Sequence, residues 1–265
     1  MKPWTRHALA LASILALAGP ASAQADLTIR EERKVTVDGS EEVWQLAWVG
    51  PVRDYCEAVS PEVTMTPACA AFARGQAGRL LLRRLRGGAV VDQFDPAPAF
   101  KERGNGWTDG WSLLPRHAAR DDDYERWLED EGAFLRAVQE RPAATVLDLD
   151  DYDRDGMALE FLIRTETGPS GRGLYAAVGL IGGKLGFLRS TGRPDRVLVL
   201  PRDIWAALRD RGGPVSRIQT ACGDKGATLR SEQVVTAAGG KIGVKGRDYD
   251  CATGTPPALK EEYDG

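Results

Sequence analysis

Leu27–Gly50 reads LTIREERKVTVDGSEEVWQLAWVG. Apolar and polar residues alternate on both sides of Val37-Asp38-Gly39-Ser40, the pattern of two half-buried strands joined by a tight turn. Asp38 and Gly39 tolerate the positive φ that a two-residue hairpin turn demands. The segment therefore predicts a β-hairpin. The plan recurs in GRLLLRRLRGGAVVDQF, residues 78–94, with Arg86-Gly87-Gly88 as its turn. Short apolar runs broken by Gly and Pro continue down the chain. The expected fold is mainly β (α+β), with antiparallel sheets or a sandwich, two helices and disulfide bonds.

The first helix is expected after Asp121-Asp122-Asp123, which offer an N-cap and an acidic first turn. Trp127, Leu128, Phe134, Leu135 and Val138 follow at helical spacing, and Arg141 and Pro142 end the pattern. Pro201 suits the first turn of the second helix, whose Ile204, Trp205 and Leu208 share a face before Gly212-Gly213-Pro214. Between the two lie a short strand, ATVLDL at 144–149, and strands near 159–165, 174–181, 184–189 and 196–200. Three more are expected at 216–222, 227–237 and 241–249. Residues 100–111 read as a loop carrying Trp107 and Trp111. A single domain over 24–254 is expected, with a candidate internal boundary near 120–142, and residues 255–265 read as a flexible tail.

The first residues have the three parts of a secretory signal peptide, assigned to 1–23. Lys2 and Arg6 give a basic start, Ala8–Ala18 an apolar run, and Ala21-Ser22-Ala23 a cleavage pattern. That run is shorter than the roughly 20 residues a bilayer span needs, and no later segment is long and apolar enough to span. The mature chain is therefore expected to be exported, periplasmic or secreted, with no membrane span. Lys2 and Arg6 are the only charged residues among the first 23, so their removal takes the net charge from -3 to -5. A mildly acidic chain offers no basic surface for nucleic acid. All four cysteines, Cys56, Cys69, Cys222 and Cys251, lie in the mature part. An even count in an exported chain points to disulfides. Short local loops favour Cys56–Cys69 and Cys222–Cys251, each contributing roughly 3 kcal/mol if unstrained.

The chemistry concentrates in TVLDLDDYDRDGMALEFLI, Thr145–Ile163. From Asp151 it reads D-x-D-x-D-G, the front half of a calcium loop. Two carboxylates 4 Å apart repel by roughly 1 kcal/mol in bulk water and about 4 kcal/mol near a protein surface. Several converging carboxylates need a cation, and oxygen-only ligands suit Ca²⁺. The expected ligands are Asp151, Asp153 and Asp155, the carbonyl of Met157, and Glu160. Asp150 replaces one of them if the register slips. The back half departs from an EF-hand, because position 12 is Leu162 and Glu160 falls at position 10. A short strand precedes the loop, and LEFLIRT alternates after it. A strand–loop–strand is expected, and it resembles the calcium loops of integrin-type propeller (FG-GAP) repeats. The plainer alternative is a solvated acidic turn.

A catalytic alternative also starts from this stretch. TVLDLDDYD resembles the first motif of haloacid-dehalogenase-like phosphatases. That likeness implies Asp148 as nucleophile, Asp150 as general acid and Mg²⁺ as cofactor. Tyr152 replaces the motif's small residue, and the alternating βα units that should follow are not evident. A carbohydrate-active enzyme would use a pair of carboxylates with Trp44, Trp48, Trp107 and Trp111 as a stacking face, although tryptophans of β-rich chains are more often core. His117 is the only histidine of the mature chain and reads as an ordinary loop residue. No catalytic or cofactor-binding residue is assigned. The expected role is a non-catalytic envelope module with a structural calcium loop and an unspecified envelope or extracellular ligand; a secreted carboxylate-dependent hydrolase is the alternative.

Three longer segments extend the comparison: ACAAFARGQAGRLLLRRLRGGAVVDQF, DYDRDGMALEFLIRT and VLVLPRDIWAALRDRGGPVSRIQTACGD. Together they resemble a group of exported bacterial proteins with a D-x-D-x-D-G segment before an EF strand and a later tryptophan-bearing helix. The resemblance implies one architecture and carries no activity.

Overall fold

The structure, a computed structural model, describes residues 26–54, 74–101, 112–120, 122–167, 173–253 and 257–265. Both predicted hairpins form. β1 (Leu27–Val37) and β2 (Ser40–Asp54) pair antiparallel, closing at Val37 opposite Ser40 around Asp38-Gly39. β3 (Gln76–Arg86) and β4 (Ala89–Phe94) close at Arg86 opposite Ala89. With β5 (Ser112–Leu114) on β3, they make a sheet ordered β1-β2-β3-β4. A short helix, α1 (Ala97–Lys101), follows β4.

The middle sheet has β6 (Phe161–Thr167), β7 (Gly173–Ile181) and β8 (Lys184–Phe187) in sequence, with β9 (Val199–Pro201) on the other side of part of β7. The third sheet runs β10 (Val215–Thr220), β11 (Leu229–Ala238), β12 (Lys241–Asp250) and β13 (Ala258–Asp264). Every ladder between these strands is antiparallel.

The middle sheet is apolar on both faces. Phe161, Ile163, Ala176 and Val178 join Trp44, Leu46, Trp48, Leu80 and Leu82 of the first sheet in one core. Ala177, Leu188 and Leu200 join a second core with Val235, Ala237, Ile242 and Val244 of the third sheet. The uninterrupted LYAAV of β7 is the sequence mark of a strand covered on both sides. α4 (Arg202–Arg211) sits in the second core through Ile204, Trp205 and Leu208. Each such side chain contributes roughly 1.5–3 kcal/mol by leaving water. The Trp205 indole N–H donates to Tyr175 O at 2.9 Å, so its one polar atom is satisfied. Pro201 is the N-cap of α4, one position earlier than expected, and left-handed Gly212 ends the helix.

The helix expected after residue 121 is broken in two. α2 (Asp123–Glu129) and α3 (Glu131–Gln139) meet at Asp130, which is extended and whose side chain accepts from Ala133 N–H at 2.8 Å. An aspartate that bonds nearby amides competes with the helix ladder and starts a new helix instead. Buried Asp123 pairs with Arg141 at 2.7 Å, tying the start of this unit to its end.

The expected strand at 144–149 forms no ladder; only its neighbours Ala143 and Asp150 make isolated bridges, to His117 and Glu160. Side chains of β1 take the ladder's place. The Glu31 carboxylate accepts from Val146 and Leu147 N–H, both at 2.8 Å, and Arg30 donates to Ala144 O at 3.0 Å. The segment expected as a loose tail instead supplies β13, whose Lys245–Asp264 to Asp250–Ala258 register lies along β12.

Cys222 and Cys251 are bonded. Cys56, Cys69, Trp107, Trp111 and the expected signal peptide lie outside the described residues. Trp44 and Trp48 are core residues, 0% and 2% exposed, and present no stacking face. Among the described residues, no helix is long and apolar enough to cross a membrane.

Candidate metal centre

Asp150 and Glu160 face each other in an isolated antiparallel bridge. Asp150 N–H donates to Glu160 O at 2.8 Å, and Glu160 N–H to Asp150 O at 3.1 Å. The bridge ties off the loop 151–159 and leads directly into β6, so a strand, not an EF-hand helix, follows the acidic segment. Inside the loop, aspartate side chains replace the absent ladder. Asp151 accepts from Asp155 N–H and Gly156 N–H, each at 3.1 Å, and Asp155 Oδ1 accepts from Met157 N–H at 2.7 Å. Arg154 and Gly156 take positive φ, 59° and 93°. At Gly156 that conformation costs nothing because there is no Cβ. The tight bend lets alternate side chains converge.

Asp151, Asp153 and Glu160 converge, each offering a carboxylate oxygen, and these three oxygens lie within 4.8 Å of one another. Glu160 Oε2 also accepts from Tyr152 N–H across the loop at 3.1 Å. Asp153 and Glu160 are 4% and 1% exposed. Glu160 reaches this position because Gly179 of β7 lies opposite it. A Cβ at Gly179 would sit 2.5 Å from Glu160 Cγ. The Phe161–Val178 pairing of β6 and β7 sets that juxtaposition.

Of the five expected ligands, these three are the ones brought together. Asp155 turns its carboxylate onto the Met157 amide, and the Met157 carbonyl accepts from Leu159 N–H at 2.9 Å. The Asp150–Glu160 bridge closes the loop and so brings Glu160 beside Asp151 and Asp153. Asp150 is committed elsewhere, accepting from Asp151 N–H at 3.0 Å and pairing with Arg209 at 2.9 Å.

The three carboxylates have no basic partner among the described residues. Arg154 donates to Arg209 O at 2.6 Å, and Arg209 serves Asp150 and Asp210. Burial, and then the Asp153 charge beside it, push the Glu160 carboxyl up to about 9. Burial followed by Asp155 pushes Asp153 up to about 6. Buried carboxylates without a counter-charge take up either a proton or a cation. Sequence reasoning missed Gly179 and Arg209. A glycine inside the apolar strand LYAAVGLI marks a close approach, and that was the available signal for the first.

No family model matches the chain, and neither does any curated protein or solved structure. The arrangement itself separates the chemical alternatives. Retaining and inverting glycosidases hold their carboxyl groups about 5–5.5 Å and 6.5–9.5 Å apart, around a substrate. Here Asp153 and Glu160 are 4% and 1% exposed, too buried to flank a substrate. Two surface cavities lie near the loop, of about 400 Å³ and 340 Å³, and none of the three carboxylates lines either one. Asp148, the nucleophile of the phosphatase-like alternative, is 80% exposed beside Arg33. The parallel sheet that alternative needs is not found among the described residues. His117 donates its Nδ1–H to Arg141 O at 3.2 Å and bridges Ala143 as part of the scaffold.

Proposed function

We propose that Asp151, Asp153 and Glu160 hold a calcium ion, and that this ion is structural. The protein acts in the cell envelope or outside the cell as a non-catalytic binding or structural module. The observation that carries the reading is Glu160. It is a carboxylate 1% exposed, drawn in over Gly179 toward two other carboxylates, with no basic side chain among the described residues to neutralise it. Folding around such a group is costly unless a cation completes it.

Oxygens within 4.8 Å of one another fit across a calcium shell, whose 2.3–2.6 Å bonds span about 4.6–5.2 Å. An all-oxygen set favours a hard ion over zinc or copper. The absence of these carboxylates from both nearby cavities supports a structural role over hydrolysis. The loop's likeness to propeller calcium repeats and the export signal read in the sequence agree with an extracellular setting, where loops of this kind bind at about 10⁻⁴–10⁻³ M.

Thermal unfolding of the purified protein tests this. At 10 mM calcium such a site contributes about 1.4–2.7 kcal/mol, a rise in Tm of roughly 3–10 °C over chelated protein. Asp153→Ala is expected to abolish the rise. A wild-type melt that does not move between chelator and 10 mM calcium overturns the proposal.

A further inference from the structure

The acidic loop is also one of the places where the third sheet joins the rest of the molecule. The turn between β11 and β12 sits directly on it. Gly240 N–H donates to Asp153 O at 3.1 Å, and Gly239 N–H donates to Arg154 O at 3.0 Å. Gly240 lies so close that a Cβ there would be 3.5 Å from Asp155 Cβ and 3.8 Å from Asp153 Oδ2. On the same side, Arg154 reaches Arg209 O of α4, and its Cδ lies 3.0 Å from where a Cβ of Gly212 would be. Gly212 O in turn accepts from Ala237 N–H of β11 at 2.7 Å. Asp153 thus serves two partners through one residue. Its side chain faces the other carboxylates, and its carbonyl holds the β11–β12 turn.

From this geometry we infer that occupancy of the acidic loop by a divalent cation controls how firmly the β10–β13 sheet is docked. The inference rests on the calcium reading above and names what the ion regulates. With no cation, nothing draws the Asp151, Asp153 and Glu160 side chains to one centre, those still ionised repel one another, and the two carbonyls that receive Gly239 and Gly240 lose their fixed positions. With the ion bound, the side chains are drawn to one centre and the carbonyls are presented to the turn. The remaining attachments of the sheet, the apolar contacts of Val235, Ala237, Ile242 and Val244 and the Thr191 N–H to Ile242 O bond at 2.8 Å, keep it folded in either state. The effect is therefore local to the turn and the strand ends beside it.

Hydrogen–deuterium exchange on the full chain reads this directly, with terbium luminescence or calorimetry run in parallel to measure ion binding. In 10 mM calcium, exchange of peptides covering 236–243 is expected to slow at least tenfold relative to chelated protein. Peptides covering the Gly87-Gly88 turn, which has no neighbour within 4 Å of either Cβ position, are expected to stay unchanged. Asp153→Asn, which keeps the backbone carbonyl but removes the charge, is expected to lose the calcium effect at 236–243. Measured ion binding with unaltered exchange at 236–243 overturns the inference alone. No measurable ion binding overturns both it and the reading on which it rests.

Discussion

At the scale of single residues, the site is decided by Gly179 and Glu160. Gly179→Ala places a methyl group 2.5 Å from Glu160 Cγ, with the β7 backbone unable to retreat inside a sheet covered on both faces. Overpacking of this kind costs about 1–3 kcal/mol. The variant is expected to unfold at lower denaturant and to lose its calcium response, both measurable in one titration series. Retention of the full calcium-dependent shift would show that Glu160 is not a ligand. Glu160 also makes a pH prediction for the metal-free protein. Its carboxyl is raised from an ordinary 4.5 to about 9, so its contribution to stability is full below about pH 4.5 and is lost as pH rises through about 9. Asp153, raised from 3.8 to about 6, acts in the same direction at lower pH. In chelator, Tm is expected to fall from pH 5 to pH 9; calcium flattens the fall, and Glu160→Gln reduces it. A chelated wild type and Glu160→Gln with parallel pH profiles would contradict the assignment.

At the scale of elements, what could be read in advance was what local chemistry decides. Asp38-Gly39 and Gly87-Gly88 specify their hairpins because few residues accept the turn's backbone, and alternation fixes which face turns inward. The broken helix was hidden because Asp130 satisfies both roles, a helical residue by spacing and a cap by its side chain. β13 was hidden for a different reason. ALKEEYD is exposed along its whole length and carries no burial pattern, so its strand state comes from the ladder with β12 and from Glu262 pairing with Arg247 at 2.7 Å and Lys245 at 3.0 Å. In the acidic loop, the D-x-D spacing exposed Asp151 and Asp153. The rank of Glu160 over Asp155 depended on the Asp150–Glu160 bridge and on a β7 residue distant in sequence. Neither is a property of the segment itself.

At the scale of the whole molecule, a middle sheet with two apolar faces needs its outer layers held in register. One link is polar. Glu42 is 1% exposed in β2, a position that alternation would give to an apolar residue. Arg84 meets it at 2.8 Å and 2.9 Å and, through its third nitrogen, donates to Gly183 O in the β7–β8 turn at 2.8 Å. Burial opposes the Glu42 charge, but the hydrogen bonds from Arg84, Arg86 and Trp44 outweigh it and hold the carboxyl below its ordinary value. Glu42→Ala leaves Arg84 buried and without that partner, a change that costs about 3–5 kcal/mol. Equilibrium denaturation is expected to show that loss at neutral pH and less of it in acid, because the folded-state preference for the carboxylate is present above about pH 4.5 and lost as pH falls below it. A loss under 1 kcal/mol at pH 7 would mean the link contributes little.

The third sheet has one more consequence for the molecule's mechanics. It is gripped at its Ala237–Ile242 end, whereas its other end, near the Cys222–Cys251 bond, is only partly covered. A ten-residue strand such as β11 is about 30 Å long at 3.4 Å per residue. On the calcium reading above, an ion in the acidic loop would stiffen the glycine-turn end of this sheet and leave the far end, tied by its own Cys222–Cys251 bond, as it is.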